Sequence, residues 1–362
     1  MIRSKLIKWL KWGLACCMLV PFLAWQAKDT SFQPTDTKGF IAEMQKQFAE
    51  VQTIKKKENH REELERKVRD THRMLMHDYP VYYDWWLQDG NDAKDIKDGK
   101  DVNWFRGSFS RQLSLRMQKL NITTAVNDTP ESIEAAFQSY LKACERRRAE
   151  RLETFTANQP EIVFTKFRTL RPSFFAYTEG VSDARAECNY FAGGSLSKIK
   201  MNGIWAEEET LLTDEDGVYR DPNLHFDGQH LLFSWKKSAK DDDFHLYEMD
   251  LKTRAVKQLT FGKGHADIEG IYLPDENILF NSTRSGSAVD CWFTEVSNMY
   301  LCDREGRYMR QVGFDQVHTT TPTLLDDGRV VYTRWDYNDR GQVWAQPLFQ
   351  MNPDGTGQAE YY

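Results

Sequence analysis

Three short stretches gather the residues whose types and spacing suggest chemistry. VYRDPN carries Asp221, GKGHADIEG carries His265, Asp267 and Glu269, and FDQVHTTTPT carries Asp315 and His318. Imidazole nitrogen and carboxylate oxygen are donors for a metal ion or a small polar ligand, provided the three stretches are brought to one place. The competing expectation is that each side chain bonds the backbone of its own turn, as Asp and His commonly do in loops. His225, His230 and His245 fall within or beside apolar alternating segments and read as packing residues.

Other constellations are missing. The sequence has no Gly-x-Ser-x-Gly elbow, no phosphate-binding glycine loop and no His-Glu-x-x-His. Its six cysteines, at 16, 17, 144, 188, 291 and 302, form no Cys-x-x-Cys and no Cys-x-x-Cys-His, so zinc knuckles and covalent haem attachment are not encoded here. Cys291 and Cys302 are close enough in sequence to pair as a disulfide in an oxidising compartment, with buried free thiols as the alternative. A net charge of -6 without an extended basic surface run argues against nucleic acid, since Lys55 to Lys57 and Arg146 to Arg148 read as solvated helix faces.

The elements that must position these residues are legible as repeats. Asp221 to Thr260 contains two apolar runs around Asp227-Gly228, an alternating segment, a Lys-Thr-Arg turn and a short last strand. That is four antiparallel strands joined by tight turns. The pattern returns from Asp267, around Pro274-Asp275-Glu276-Asn277 and Arg304-Glu305-Gly306. It returns again from Thr320, around Asp327-Gly328 and Pro353-Asp354-Gly355. Gly228, Glu276 and Gly328 lie roughly 50 positions apart, a blade-length repeat. A partial earlier copy runs from Glu161 and Ser195. The expected fold is mainly β: an incomplete β-propeller of four-stranded antiparallel blades preceded by an α-helical N-terminal segment. In such a fold the three stretches converge on the central channel.

Before the repeats the chain is different material. Residues 1–27 have basic Arg3, Lys5, Lys8 and Lys11 followed by the apolar run Gly13 to Trp25, and read as an export signal, with an uncleaved membrane anchor as the alternative. Residues 28–158 read as a helical cap or spacer. Phe40, Met44, Phe48 and Val51 mark a long amphipathic helix broken near Asn59. A further helix spans Asn103 to Leu120, and another opens at Asp128-Thr129-Pro130-Glu131. The aromatic stretch DYPVYYDWWLQDG is expected to be buried against neighbouring structure, a carbohydrate or membrane platform being the rarer fate. The loop Gly90 to Asp101 lacks the spacing of an EF-hand. Residues 159–362 form the propeller: a partial first blade plus three blades, expected to be truncated at the C-terminus because such a set does not close a ring.

The runs VYTRWDYNDRGQVWAQPLFQMNPDGTGQAEYY, FDQVHTTTPTLLDDGR and DCWFTEVSNMYLCDREG resemble the propeller portion of proteins similar to the hydrazine synthase alpha subunit. The blade pattern more generally resembles TolB-like periplasmic propellers. The first resemblance covers roughly Glu161 to Tyr362 and implies a propeller fold and export to the periplasm. In that family the alpha subunit carries c-type haems outside the propeller and helps turn nitric oxide and ammonium into hydrazine. No cofactor is evident in this sequence, so haem c would belong to a region beyond Tyr362. Two functional expectations follow. One is an exported binding or scaffold module that holds a protein partner or small polar ligand at the channel. The other is the N-terminal part of a haem-dependent redox enzyme.

Overall fold

The computed structural model describes residues 36–90, 105, 107–158, 161–168, 190–289, 295–335 and 346–362. The basic and apolar leader, the 91–101 loop, Cys16, Cys17, Cys188 and Cys291, and residues 336–341 of the polar stretch after Thr333 lie outside them.

Helices come first. α1 spans Thr37–Lys55, and the Asp36 carboxylate caps it by accepting from the Gly39 amide at 2.7 Å. Phe40, Met44, Phe48 and Val51 share one face of α1 and are buried. The chain breaks at Asn59, which takes the left-handed conformation at φ 57°, and resumes as α2, Arg61–Asp78. The aromatic stretch forms α3, Pro80–Gln88, with Pro in its first turn. Tyr82, Tyr83, Trp85 and Trp86 are buried in the helical core. α4 is Phe109–Lys119, capped by Ser108, and α5 is Pro130–Asn158, where the Thr129 hydroxyl accepts from the Ser132 amide. Ile133, Phe137, Tyr140 and Cys144 of α5 close the same core.

Four antiparallel sheets follow. The first has three strands in the order β1 (Glu161–Phe167), β2 (Gly194–Asn202) and β3 (Trp205–Asp214). The second runs β4 (Val218–Leu224), β5 (His230–Lys236), β6 (His245–Asp250) and β7 (Val256–Gln258). The third runs β8 (Asp267–Tyr272), β9 (Ile278–Ser282), β10 (Asn298–Cys302) and β11 (Arg310–Gln311). The fourth runs β12 (Thr319–Leu324), β13 (Val330–Arg334), β14 (Leu348–Met351) and β15 (Ala359–Glu360). Described residues divide almost evenly between helix and strand, so the chain is a mixed helix-and-sheet protein rather than mainly β. The sequence pattern overweights strands because a repeat advertises itself and a set of amphipathic helices does not.

The middle sheets are apolar on both faces because each is sandwiched, and the period of two sends alternate residues into different cores. On β5, Leu231 and Phe233 pack with Leu196 of the first sheet, whereas Leu232 faces Tyr272, Ile278 and Phe280 of the third. On β10, Tyr300 and Cys302 point back to that core, while Met299 and Leu301 meet Val330, Tyr332 and Met351 of the fourth. Each such side chain contributes about 1.5–3 kcal/mol by leaving water. The first strands β1, β4, β8 and β12 adjoin one another in that order, as blades around an axis do.

Two aromatic contacts join the helices to the sheets. Trp205, at the start of β3, packs on the helical core with its ring 6.0 Å from Trp85, under the Arg148 guanidinium. Arg148 also donates to the Ile204 carbonyl at 2.7 Å. Among the described residues no helix is long and apolar enough to cross a membrane.

Candidate functional site

The first strands of the last three sheets share an irregularity. Pairing register shifts between Arg220 and Asn223, between Ile268 and Ile271, and between Thr320 and Thr323, so each strand carries a β-bulge at the same place. The bulged residues Asp221, Glu269 and Thr321 have φ of 55°, 55° and 51°. None is glycine, so each is held in a costly backbone region, and most so the β-branched Thr321. The following residues fit the bulge: Pro222 and Pro322 have no N–H to leave unpaired, and a Cβ on Gly270 would lie 2.8 Å from Leu232.

These bulges are tied to one another across the sheets. Asp221 Oδ2 accepts from the Glu269 amide at 3.1 Å, and Glu269 Oε2 accepts from the Thr321 amide at 2.6 Å. Arg220 binds both carboxylates, donating from Nε to Asp221 at 2.6 Å and from Nη2 to Glu269 at 3.3 Å. Its Nη1 donates to the Tyr190 hydroxyl at 2.8 Å, and Asn281 donates to Glu269 Oε2 at 2.8 Å. Burial opposes the charge on Arg220, but Asp221, Tyr190 and Glu269 outweigh it, and its pKa is raised. Burial and then the Asp221 charge push the Glu269 carboxyl upward, more than Arg220, the Thr321 amide and Asn281 pull it down. The result is a largely buried polar cluster at the inner strands with two carboxylates, one guanidinium and the phenol of Tyr190. Asp221 and Thr321 are its more open members.

Of the six residues singled out in the sequence, Asp221 and Glu269 meet in this cluster. Asp267 lies two residues away on β8 but faces elsewhere: it is fully buried and pairs with Arg284 at 2.6 Å, Ser282 at 2.6 Å and His245 at 3.5 Å. Burial opposes its charge, yet these partners hold its pKa below the usual carboxylate range. His265 lies beside that group, its ring 6.0 Å from His245 and its Nε2 3.2 Å from the Phe261 carbonyl. Asp315 pairs with Arg334 at 3.2 Å. His318 is buried, stacked on Trp335, with Nδ1 accepting from the Ser297 amide at 3.1 Å, and burial lowers its pKa to about 4. His265 lies two residues before β8 and His318 one before β12, so the two do not hold equivalent places relative to their strands. Cys302 is a buried free thiol with its pKa pushed up to about 12 by burial, while Cys291 lies outside the described residues.

Arg220 was missed by sequence reasoning, although the repeated step from bulge residue to Pro or Gly could have marked its neighbourhood. Among the described residues one group has metal-ligand spacing, His225, Asp227 and His230, at the hairpin end of β4. Cys144 and Cys302 are buried in separate cores and belong to no haem-attachment motif, so they do not suit covalent haem.

No family model and no curated protein matches the chain. Solved structures do. Hydrazine synthase of Kuenenia stuttgartiensis is 15% identical at a TM-score of 0.43, over 56% of this chain and 32% of that one. A TolB of Agrobacterium tumefaciens is 17% identical at 0.36, over 47% and 61%. Oligogalacturonate lyase of Vibrio parahaemolyticus is 15% identical at 0.33, over 48% and 52%. The chain spans less than two thirds of each of these proteins. At these scores the radial arrangement of the sheets rests on the packing between them.

Proposed function

We propose that this chain is a β-propeller-type binding module whose ligand, small and polar, is gripped on the inner strands by the Arg220, Asp221 and Glu269 cluster. One observation supports the reading: three successive sheets hold a strained, non-glycine residue at the same bulge, and two of those residues are carboxylates clasping one guanidinium. Strain of this kind is retained where the surroundings over-determine it, and such places concentrate at ligand sites. The partly open Asp221 carboxylate of this cluster offers acceptor oxygen, which suits a donor-rich ligand.

Export to the periplasm belongs to the same proposal and is supported by the basic and apolar leader from Arg3 to Trp25. A protein partner is the larger alternative occupant of the same surface. Haem-dependent redox chemistry, the other expectation, draws on no residue of this sequence.

Thermal-shift screening of the full chain against polyamines, basic amino acids and sugars, with chelator present, tests the assignment, with Asp221→Asn as the comparison. The expected result is a compound that raises the melting temperature of the unaltered chain and leaves the variant unmoved. Equal shifts in both proteins, or none in either, would overturn it.

A further inference from the structure

The β4–β5 turn, His225-Phe226-Asp227-Gly228-Gln229-His230, lies at the end of β4 away from the loop that carries His265. Asp227 Oδ1 accepts from the Gln229 amide at 2.7 Å and the His230 amide at 3.2 Å, which fixes the carboxylate. Its other oxygen faces two imidazoles, 3.0 Å from His225 Nδ1 and 2.7 Å from His230 Nδ1. Ligand atoms about 2.0–2.1 Å from a tetrahedral metal lie roughly 3.3 Å from one another, and the three ligand atoms here all lie within 4.8 Å of one another.

His225 is also held from behind. Its Nε2 lies 3.1 Å from Glu276 Oε2, and the ring stands edge-on to Tyr272 at 4.7 Å. Glu276 accepts from Arg304 at 2.9 Å, and Arg304 and the Tyr272 hydroxyl both donate to Glu248. His225 Nδ1 lies 3.2 Å from the Asp227 amide and 3.0 Å from Asp227 Oδ2, on the side where His230 Nδ1 meets the same carboxylate. A histidine ligand whose far nitrogen donates to a carboxylate is the usual support of a metal site.

From this geometry we infer that His225, Asp227 and His230 bind a divalent transition metal, zinc by preference, with Glu276 as the positioning residue. The side chains of Asp227 and His230 keep about a third of their surface, 31% and 29%, in solvent. Three protein ligands and an exposed fourth position describe an open site that takes water or a small ligand atom.

The test uses the full chain, stripped with chelator, reloaded with zinc and dialysed. Elemental analysis should find one zinc per chain. Competition with a chromogenic chelator should show affinity lower by at least about 100-fold in His230→Ala and Asp227→Asn, and by about 10- to 100-fold in Glu276→Gln at unchanged stoichiometry. His265→Ala should bind as the unaltered chain does. Asp227→Asn keeps the oxygen that caps the turn, so it decides the matter if His230→Ala does not fold. Failure to retain zinc, or equal affinity in Asp227→Asn, overturns the site. Neither result bears on the Asp221 cluster, which none of these variants touches.

Discussion

Glu269 sits between opposing demands. It is 6% exposed, beside a second carboxylate, and it supplies the only acceptor shown for the Thr321 amide. Glu269→Ala should therefore destabilise the chain by about 2–4 kcal/mol, read from urea midpoints, because the Thr321 amide and part of a buried guanidinium lose their partner together. A loss below about 1 kcal/mol would show that the network is not cooperative. Its raised pKa means the folded state favours the protonated form. That contribution is fully present below the unfolded value near 4.5 and is lost as pH rises through the folded one. His318 works in the opposite direction. Its folded pKa is about 4 against 6.5 in the unfolded chain, so between those values only the unfolded state takes up the proton. Stability should fall by up to about 3 kcal/mol as pH drops through that window. His318→Leu should be weaker at pH 7, for want of the Ser297 acceptor, yet lose less on going to pH 5. His72, lowered by burial in the same direction, leaves a residual slope. An unchanged pH dependence in His318→Leu would refute the assignment.

At the level of elements, the turns were legible in the sequence and the bulges were not. Asp227-Gly228 and Asp327-Gly328 announce hairpins because glycine is the residue that takes their left-handed position cheaply, and both glycines have positive φ. The bulges put Asp, Glu and Thr into the same backbone region, where residue type carries no such signal. Only the recurring Pro or Gly one step later betrays them. Likewise, His225 and His230 read as packing residues because each adjoins a strand, and only the closed turn brings both to Asp227. Thr321→Asn tests the strain: Asn tolerates positive φ, so stability should rise by roughly 0.5–1 kcal/mol in urea unfolding. No gain would mean the Thr321 conformation is relaxed. Gly306, in the β10–β11 turn, has φ 79°, and a Cβ there would stand 2.1 Å from the Leu259 carbonyl of the preceding sheet. Gly306→Ala should cost about 2–4 kcal/mol, since backbone on both sides must yield.

For the whole molecule, the helical core and the sheet array are separate bodies of apolar packing joined at Trp205. Trp205→Ala should remove about 2–3 kcal/mol of docking and divide a single calorimetric transition into two. A single sharp transition in that variant would show that the coupling lies elsewhere. The amide ties between bulges also have a direction. Asp221 serves Glu269, and Glu269 serves Thr321, so each acceptor precedes in the chain the donor it will satisfy. During synthesis, which releases the amino-terminal part first, the third and fourth sheets then each meet a finished template instead of waiting for one. Assembly is thereby given an arrow, and a chain begun from its far end would have nothing to lean on.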